Sequence, residues 1–149
     1  MNNTKIEIRE GDVLFEDNHI IVINKPSGIL VQGDKTGDTH LVDLIKIYLK
    51  KKYNKPGDVF LGLVHRLDRP TSGILILAKT SKSLIRLNKQ FKDKKIKKKY
   101  LAITEKKQNK GKKTLRNWLK KNQKQNKTYV YDNKIDGSKF AELSFKTIK

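Results

Sequence analysis

The chain has no cysteine, which excludes disulfides, thiolate metal sites and a cysteine nucleophile. That absence fits a reducing cytoplasm. Long apolar runs are missing as well. The opening "MNNTKIEIREGDV" lacks the hydrophobic stretch of a secretory signal. No window reaches the roughly 18 apolar residues that a membrane helix needs. Histidine is scarce, and His19, His40 and His65 show no metal-ligand spacing. Arginine is scarcer than the charge suggests, with only five among 35 basic residues.

What the chain does have is positive charge. Against 15 acidic residues the basic ones leave a formal net charge of +20 over 149 residues. A surplus of that size favours a polyanionic partner, nucleic acid before acidic lipid. A general taste for lysine, isoleucine and asparagine accounts for part of it, which makes the few arginines more telling. Two of them, Arg66 and Arg69, fall within "LVHRLDRPTSGILILAKT", residues 63–80. Arginine offers a planar fork to carboxylate or phosphate, where lysine offers a point charge.

The length suits one domain with a real core. "DVLFEDNHIIVINKPSGILVQ" reads as two strands, Val13–Glu16 and Ile20–Asn24, separated by the turn-former "DN". "KPSG" then breaks the chain. A helix is expected over "HLVDLIKIYLKKKY", capped by Asp38 or Thr39, with Leu41, Leu44, Ile45, Tyr48 and Leu49 on one face. "VFLGLV" and "GILILAK" read as strands on either side of the arginine-bearing segment. Thr80 or Ser81 is placed to cap a second helix bearing Leu84, Leu87 and Phe91, and "KKKYLAITE" reads as a further strand. Lys25, within "NKPSG", is ambiguous between a functional lysine and the solvated lysine usual in a loop.

The segment 89–127 concentrates the charge, with "KKQNKGKK" and "KKNQKQNK" close to low complexity and expected as solvated loops. Between them Leu115, Trp118 and Leu119 suggest a short helix or apolar patch. "TYVY" and "KFAELSFKTI" follow as strands, the latter alternating as a strand should. The fold class expected is α+β, with a mixed, largely antiparallel sheet and flanking helices.

Asp68 sits between a basic pair and the turn "RPTSG", a loop edge of the kind on which functional groups are carried. A neighbouring arginine favours its ionised form. Such a carboxylate is suited to act as nucleophile or cation stabiliser at a sugar's anomeric carbon. For an isolated "RxDR" the plain alternative is a structural ion pair in a turn. A kinase reading of "HRLD" fails, because no glycine-rich phosphate cover or metal-binding DFG accompanies it. Tyr100 follows a lysine run, an arrangement in which a ring stacks on a splayed base while lysines hold phosphates; a core tyrosine is the alternative.

Taken together, these pieces resemble the RluA-type pseudouridine synthase family. "HRLDRPTSG" is similar to its catalytic loop, "EDNHIIVINKPSGILVQ" to its strand pair and lysine-proline loop, and "KKKYLAI" to its tyrosine motif. "AKTSKSLIRLNKQF" and "FAELSFKTI" are similar to a following helix and a later strand, so the likeness runs along nearly the whole chain. It implies isomerisation of uridine to pseudouridine in ribosomal or transfer RNA, in the cytoplasm, without cofactor or metal, by a monomer. On that likeness Asp68 is the nucleophile, while Arg66, Arg69, His65 and Tyr100 serve substrate and RNA binding. The chain is read as a domain with no S4-like module before it. The family pattern continues past the "A-E-L-x-F" strand to an arginine-bearing motif with no counterpart here. The chain is therefore read as C-terminally incomplete, a partial catalytic domain over residues 1–149 with a basic insert about 105–127. A non-catalytic, basic RNA-binding fragment is the competing reading.

Overall fold

The computed structural model describes residues 7–33, 39–105 and 111–148. They form two compact units, the first ending at Lys98 and the second beginning at Lys99.

The first unit is built on a four-stranded sheet. Its strands are β1 (Val13–Glu16), β2 (Ile20–Lys25), β3 (Gly62–Leu63) and β4 (Gly73–Ala78), in the order β1-β2-β4-β3. The two apolar runs "IIVIN" and "GILILA" pair antiparallel through the centre. Their register sets Ile21 opposite Leu77 and Ile23 opposite Leu75, and all four are completely buried. Helix α1 (Leu41–Lys52) closes over that face with Leu41, Leu44, Ile45 and Leu49, with Tyr48 packed at the margin. Each such aliphatic side chain contributes about 1.5–3 kcal/mol by leaving water. Helix α2 (Ser81–Lys92) packs on β3 and β4, where Leu84 lies so close to Gly62 that a Cβ there would meet it at 2.9 Å.

Strand β1 and both helices match the expected ranges, and β2 and β4 do so within a residue. Two details differ. Strand β3 covers only Gly62–Leu63, not all of "VFLGLV", because the chain leaves the ladder after two pairs with β4. The expected cap of α1 also fails: His40 is the N-cap and makes no side-chain cap bond, while Asp38 lies outside the described residues. The first amides of α1 are satisfied instead by backbone, Leu41 N–H donating to Leu30 O at 2.8 Å and Val42 N–H to Val31 O at 3.1 Å. Thr80 does cap α2, its hydroxyl accepting from Ser83 N–H at 3.1 Å.

In the second unit, β5 (Lys112–Asn122), β6 (Lys127–Tyr131) and β7 (Lys139–Lys146) form a sheet in the order β6-β5-β7. All pairings between described strands, in both units, are antiparallel, so the fold is α+β with antiparallel sheets. Lysine-rich sequence thus forms a long strand where loops and a short helix or patch were expected. Eight residue pairs with β7 and five with β6 supply the ladder that local composition does not advertise. The expected strand at "KKKYLAITE" is absent: residues 97–104 are neither helix nor strand, and 106–110 lie outside the described residues. Its Leu101 and Ile103 are almost fully exposed. A β-prone segment without a partner strand has no ladder to join.

Glu16 ties β1 to α1 and β4. Its carboxylate is 6% exposed and accepts from Lys52 Nζ at 2.8 Å, Lys79 Nζ at 2.6 Å and the Tyr53 hydroxyl at 2.7 Å. Burial raises the pKa of this group, but the three donors outweigh it and hold the carboxyl at about 2, against 4.5 ordinarily. A depressed carboxyl pKa adds stability that is present above the unfolded value and lost on acidification. Stability should therefore fall as pH drops from 4.5 towards 2, through a contribution on the order of 3 kcal/mol. Urea denaturation across that range checks it, and Glu16→Ala should lose about 3 kcal/mol at neutral pH and flatten the acid dependence.

Candidate active site

Strands β2 and β4 end side by side, with Lys25 opposite Gly73. Two loops meet there, 25–28 leaving β2 and 65–72 entering β4. Alternation along β2 sets the direction of the lysine. Ile21, Ile23 and Lys25 share one parity, so Lys25 points inward with the two isoleucines. Its side chain is completely buried, not solvated as a loop lysine usually is.

The ammonium replaces its lost water with carbonyls. Lys25 Nζ donates to Thr71 O at 2.6 Å, Pro26 O at 3.0 Å and Arg69 O at 3.2 Å. Two of those acceptors belong to the 65–72 loop. Desolvation pushes the lysine pKa down, and the charge of nearby Asp68 pulls it back up.

Further bonds close the junction. Gly28 N–H donates to Arg69 O at 2.8 Å, and Arg69 Nε returns a bond to Gly28 O at 2.9 Å. The Ser27 hydroxyl donates to Pro70 O at 2.7 Å. Thr71 N–H reaches Asp68 O at 3.0 Å, closing a turn over "DRPT". Both motif glycines are needed for their backbone: Gly28 has φ 90° and Gly73 φ 126°, values that side-chain-bearing residues rarely adopt.

Within "HRLD" the side chains divide. Leu67 is 9% exposed and inserts into the core, while Arg66 and Asp68 on either side are exposed. No ion pair among the described residues includes Asp68. Its charge acts on Lys25, whose pKa it raises. His65 is half-buried, its ring stacked on Phe91 at 5.2 Å, and its Nε2 accepts from Ile76 N–H at 3.0 Å. An accepting nitrogen requires the neutral ring. Burial, and secondarily the charge of Lys98, lowers the His65 pKa in the same sense. His65 thus braces the loop against β4. Tyr100, in the second unit, is 62% exposed.

Sequence reasoning left Lys25 between function and solvation and did not single out Ser27. The signal for Lys25 was available in the period-2 alternation of "IIVINK"; for Ser27 there was none beyond its place in a turn. Among the described residues no cluster of three or more His, Asp or Glu side chains is arranged to hold a metal ion. Nor is any helix among them long and apolar enough to cross a membrane.

The site is thus an exposed carboxylate on a loop that a buried lysine holds to a "KPSG" turn. The profile of the RNA pseudouridylate synthase family matches residues 19–149. The chain belongs to that family. Among its relatives are proteins named ribosomal large subunit pseudouridine synthase C. That of Buchnera aphidicola is 46% identical over 92 residues, 62% of this chain and 27% of the relative. The Haemophilus influenzae protein is 40% identical over 102 residues, 68% of this chain and 30% of its own. The Escherichia coli protein is 41% identical over 91 residues, 61% of this chain and 27% of its own. The matches thus span less than a third of the relatives' length. In structure, the human RNA pseudouridylate synthase domain containing 4 superposes with a TM-score of 0.61 at 17% identity, covering 89% of this chain and 51% of that one. That likeness is one of fold.

Replacing Lys25 with methionine keeps the volume but removes three part-buried hydrogen bonds. Lys25→Met should cost about 3 kcal/mol in urea unfolding. It should also speed hydrogen exchange at the Gly28 and Thr71 amides more than at Leu75. Unchanged exchange at those two amides would show that the lysine does not hold the loop.

Proposed function

We propose that this chain carries the nucleophile-bearing part of an RNA pseudouridine synthase, with Asp68 as the reacting carboxylate. The observation that carries the reading is the exposure of Asp68 on a loop anchored by Leu67 below and by Lys25 behind. Membership of the family supports the same chemistry. The reaction breaks the N1–C1′ bond of a uridine, turns the base, and joins C5 to C1′. The proton on C5 leaves to water and N1 gains one, so the overall change is an isomerisation.

In this reading Asp68 attacks or stabilises the anomeric carbon as the glycosidic bond breaks. Arg66, exposed beside it, meets the RNA backbone around the extruded nucleotide. Tyr100 stacks on the uracil. His65 and Arg69 contribute through the loop itself, whose shape their hydrogen bonds support. Extruding a nucleotide costs a few kcal/mol of stacking and pairing, which phosphate contacts from the basic surface offset. The substrate proposed is ribosomal RNA in the cytoplasm, in keeping with the names of the relatives and the absence of cysteine. Transfer RNA is the alternative substrate.

A second reading, a basic RNA-binding piece without turnover, is favoured by the many exposed lysines of the second unit. Ribosomal RNA tritiated at uridine C5 separates the two. The isomerase releases label, and Asp68→Asn should reduce the release roughly a thousandfold or more while RNA affinity persists. Full release by Asp68→Asn would reject Asp68 as nucleophile. Release by neither protein, with RNA affinity that falls steeply with salt in both, would favour the second reading.

A further inference from the structure

We infer that one face of the β6-β5-β7 sheet is a stacking platform for single-stranded RNA, separate in its chemistry from the Asp68 loop. The inference takes its polymer from the RNA-directed function proposed for the chain but does not depend on Asp68. The ladder places Trp118 opposite Tyr131 on β6 and opposite Phe140 on β7. One row of three rings therefore crosses all three strands, at about 4.8 Å per strand. Tyr129, two residues from Tyr131, shares that face. Tyr129, Tyr131 and Phe140 are 37–52% exposed, far more than apolar rings in a closed core. Trp118 and Phe140 meet edge to face at 5.5 Å, so the ring that presents its edge keeps its faces out of that contact.

Cations lie on those rings. Lys134 Nζ sits 5.7 Å from the Trp118 ring centre, and Lys127 Nζ 5.5 Å from that of Tyr129. Both lysines are exposed, and Lys120 stands opposite Tyr129 in the ladder. A base entering the row takes a ring face, and the displaced ammonium meets its phosphate. The charge selects the occupant. An apolar protein surface would have to desolvate these ammonium groups, whereas a nucleic acid strand supplies a phosphate for each. A duplex keeps its bases stacked inside and offers the rings nothing. The opposite face carries Leu115, Leu119, Leu143 and a single ring, Phe145, and has no tryptophan or tyrosine in its ladder positions.

Trp118 is the only tryptophan in the chain, so its fluorescence reads this face directly. Titrating the full chain with a 12-nucleotide oligouridylate should quench the emission, with an affinity that weakens as salt rises. A duplex RNA of equal length and inorganic polyphosphate should leave the emission unchanged. Tyr131→Leu keeps an apolar strand residue and removes the stacking surface; it should weaken oligouridylate binding by roughly 5- to 100-fold. Asp68→Asn should give the parental titration, whatever its effect on uridine isomerisation, so the platform and the nucleophile fail separately. The inference is overturned if oligouridylate fails to bind, if it binds by anisotropy without changing Trp118 emission, or if polyphosphate quenches equally. It is likewise overturned if dilution alone shifts the emission, which would mark the row as a contact between copies of the chain.

Discussion

The buried ammonium of Lys25 is the constraint on which the site depends. A charge moved out of water without partners is costly, by several kcal/mol even after relaxation. Here the cost is met by carbonyls from both loops and by the field of Asp68. Because the donors radiate from one atom, the loops cannot move apart without stranding either the charge or the carbonyls. The exposure of Asp68 follows from this. With its neighbour Leu67 committed to the core and the turn behind it bonded to Lys25, the carboxylate is left on the outer side.

Charge type matters as much as charge. A lysine suits the interior position because its single ammonium satisfies acceptors in three directions. The arginine at 69 uses one edge of its guanidinium to bond Gly28 O, completing a reciprocal pair with the backbone. Asp68 thus lies close to a positive charge that solvent screens poorly, whereas Arg66 is exposed to full screening. Lys25, behind the loop, adds a positive charge near Asp68 to those of the flanking arginines.

The sequence made much of the first unit legible, because hydrophobic alternation and helix periodicity are local properties. Ile21, Ile23, Leu75 and Leu77 announce a buried strand pair, and Leu41, Leu44, Ile45 and Leu49 announce the helix that covers it. What failed depended on partners distant in sequence. Leu101 and Ile103 have strand composition but no described ladder partner; β5 has loop composition but two partners. The helix start at Leu41 is another instance, satisfied by carbonyls of Leu30 and Val31 that no capping rule names. Lys25 differs from these. Its burial was written in the parity of β2, and the habit of assigning lysine to solvent hid it.

Some charges of the first unit are buried or nearly so, whereas the lysines of the second sheet lie on the surface. Lys25, Glu16 and Lys79 are shielded and held by directional bonds at short range. Interactions of that kind are screened little by ions, so the loop bearing Asp68 keeps its shape as salt varies. The lysines of the second sheet are exposed, and some rest on rings by contacts of 5–6 Å rather than on carboxylates. Their attraction for a polyanion extends only about a Debye length, near 8 Å at physiological ionic strength, and weakens as counterions accumulate. On the reading proposed above, salt acts on capture of a polymer and not on the geometry of the Asp68 loop. A basic chain can in this way hold one carboxylate in a fixed setting while its surface charge remains free to exchange partners.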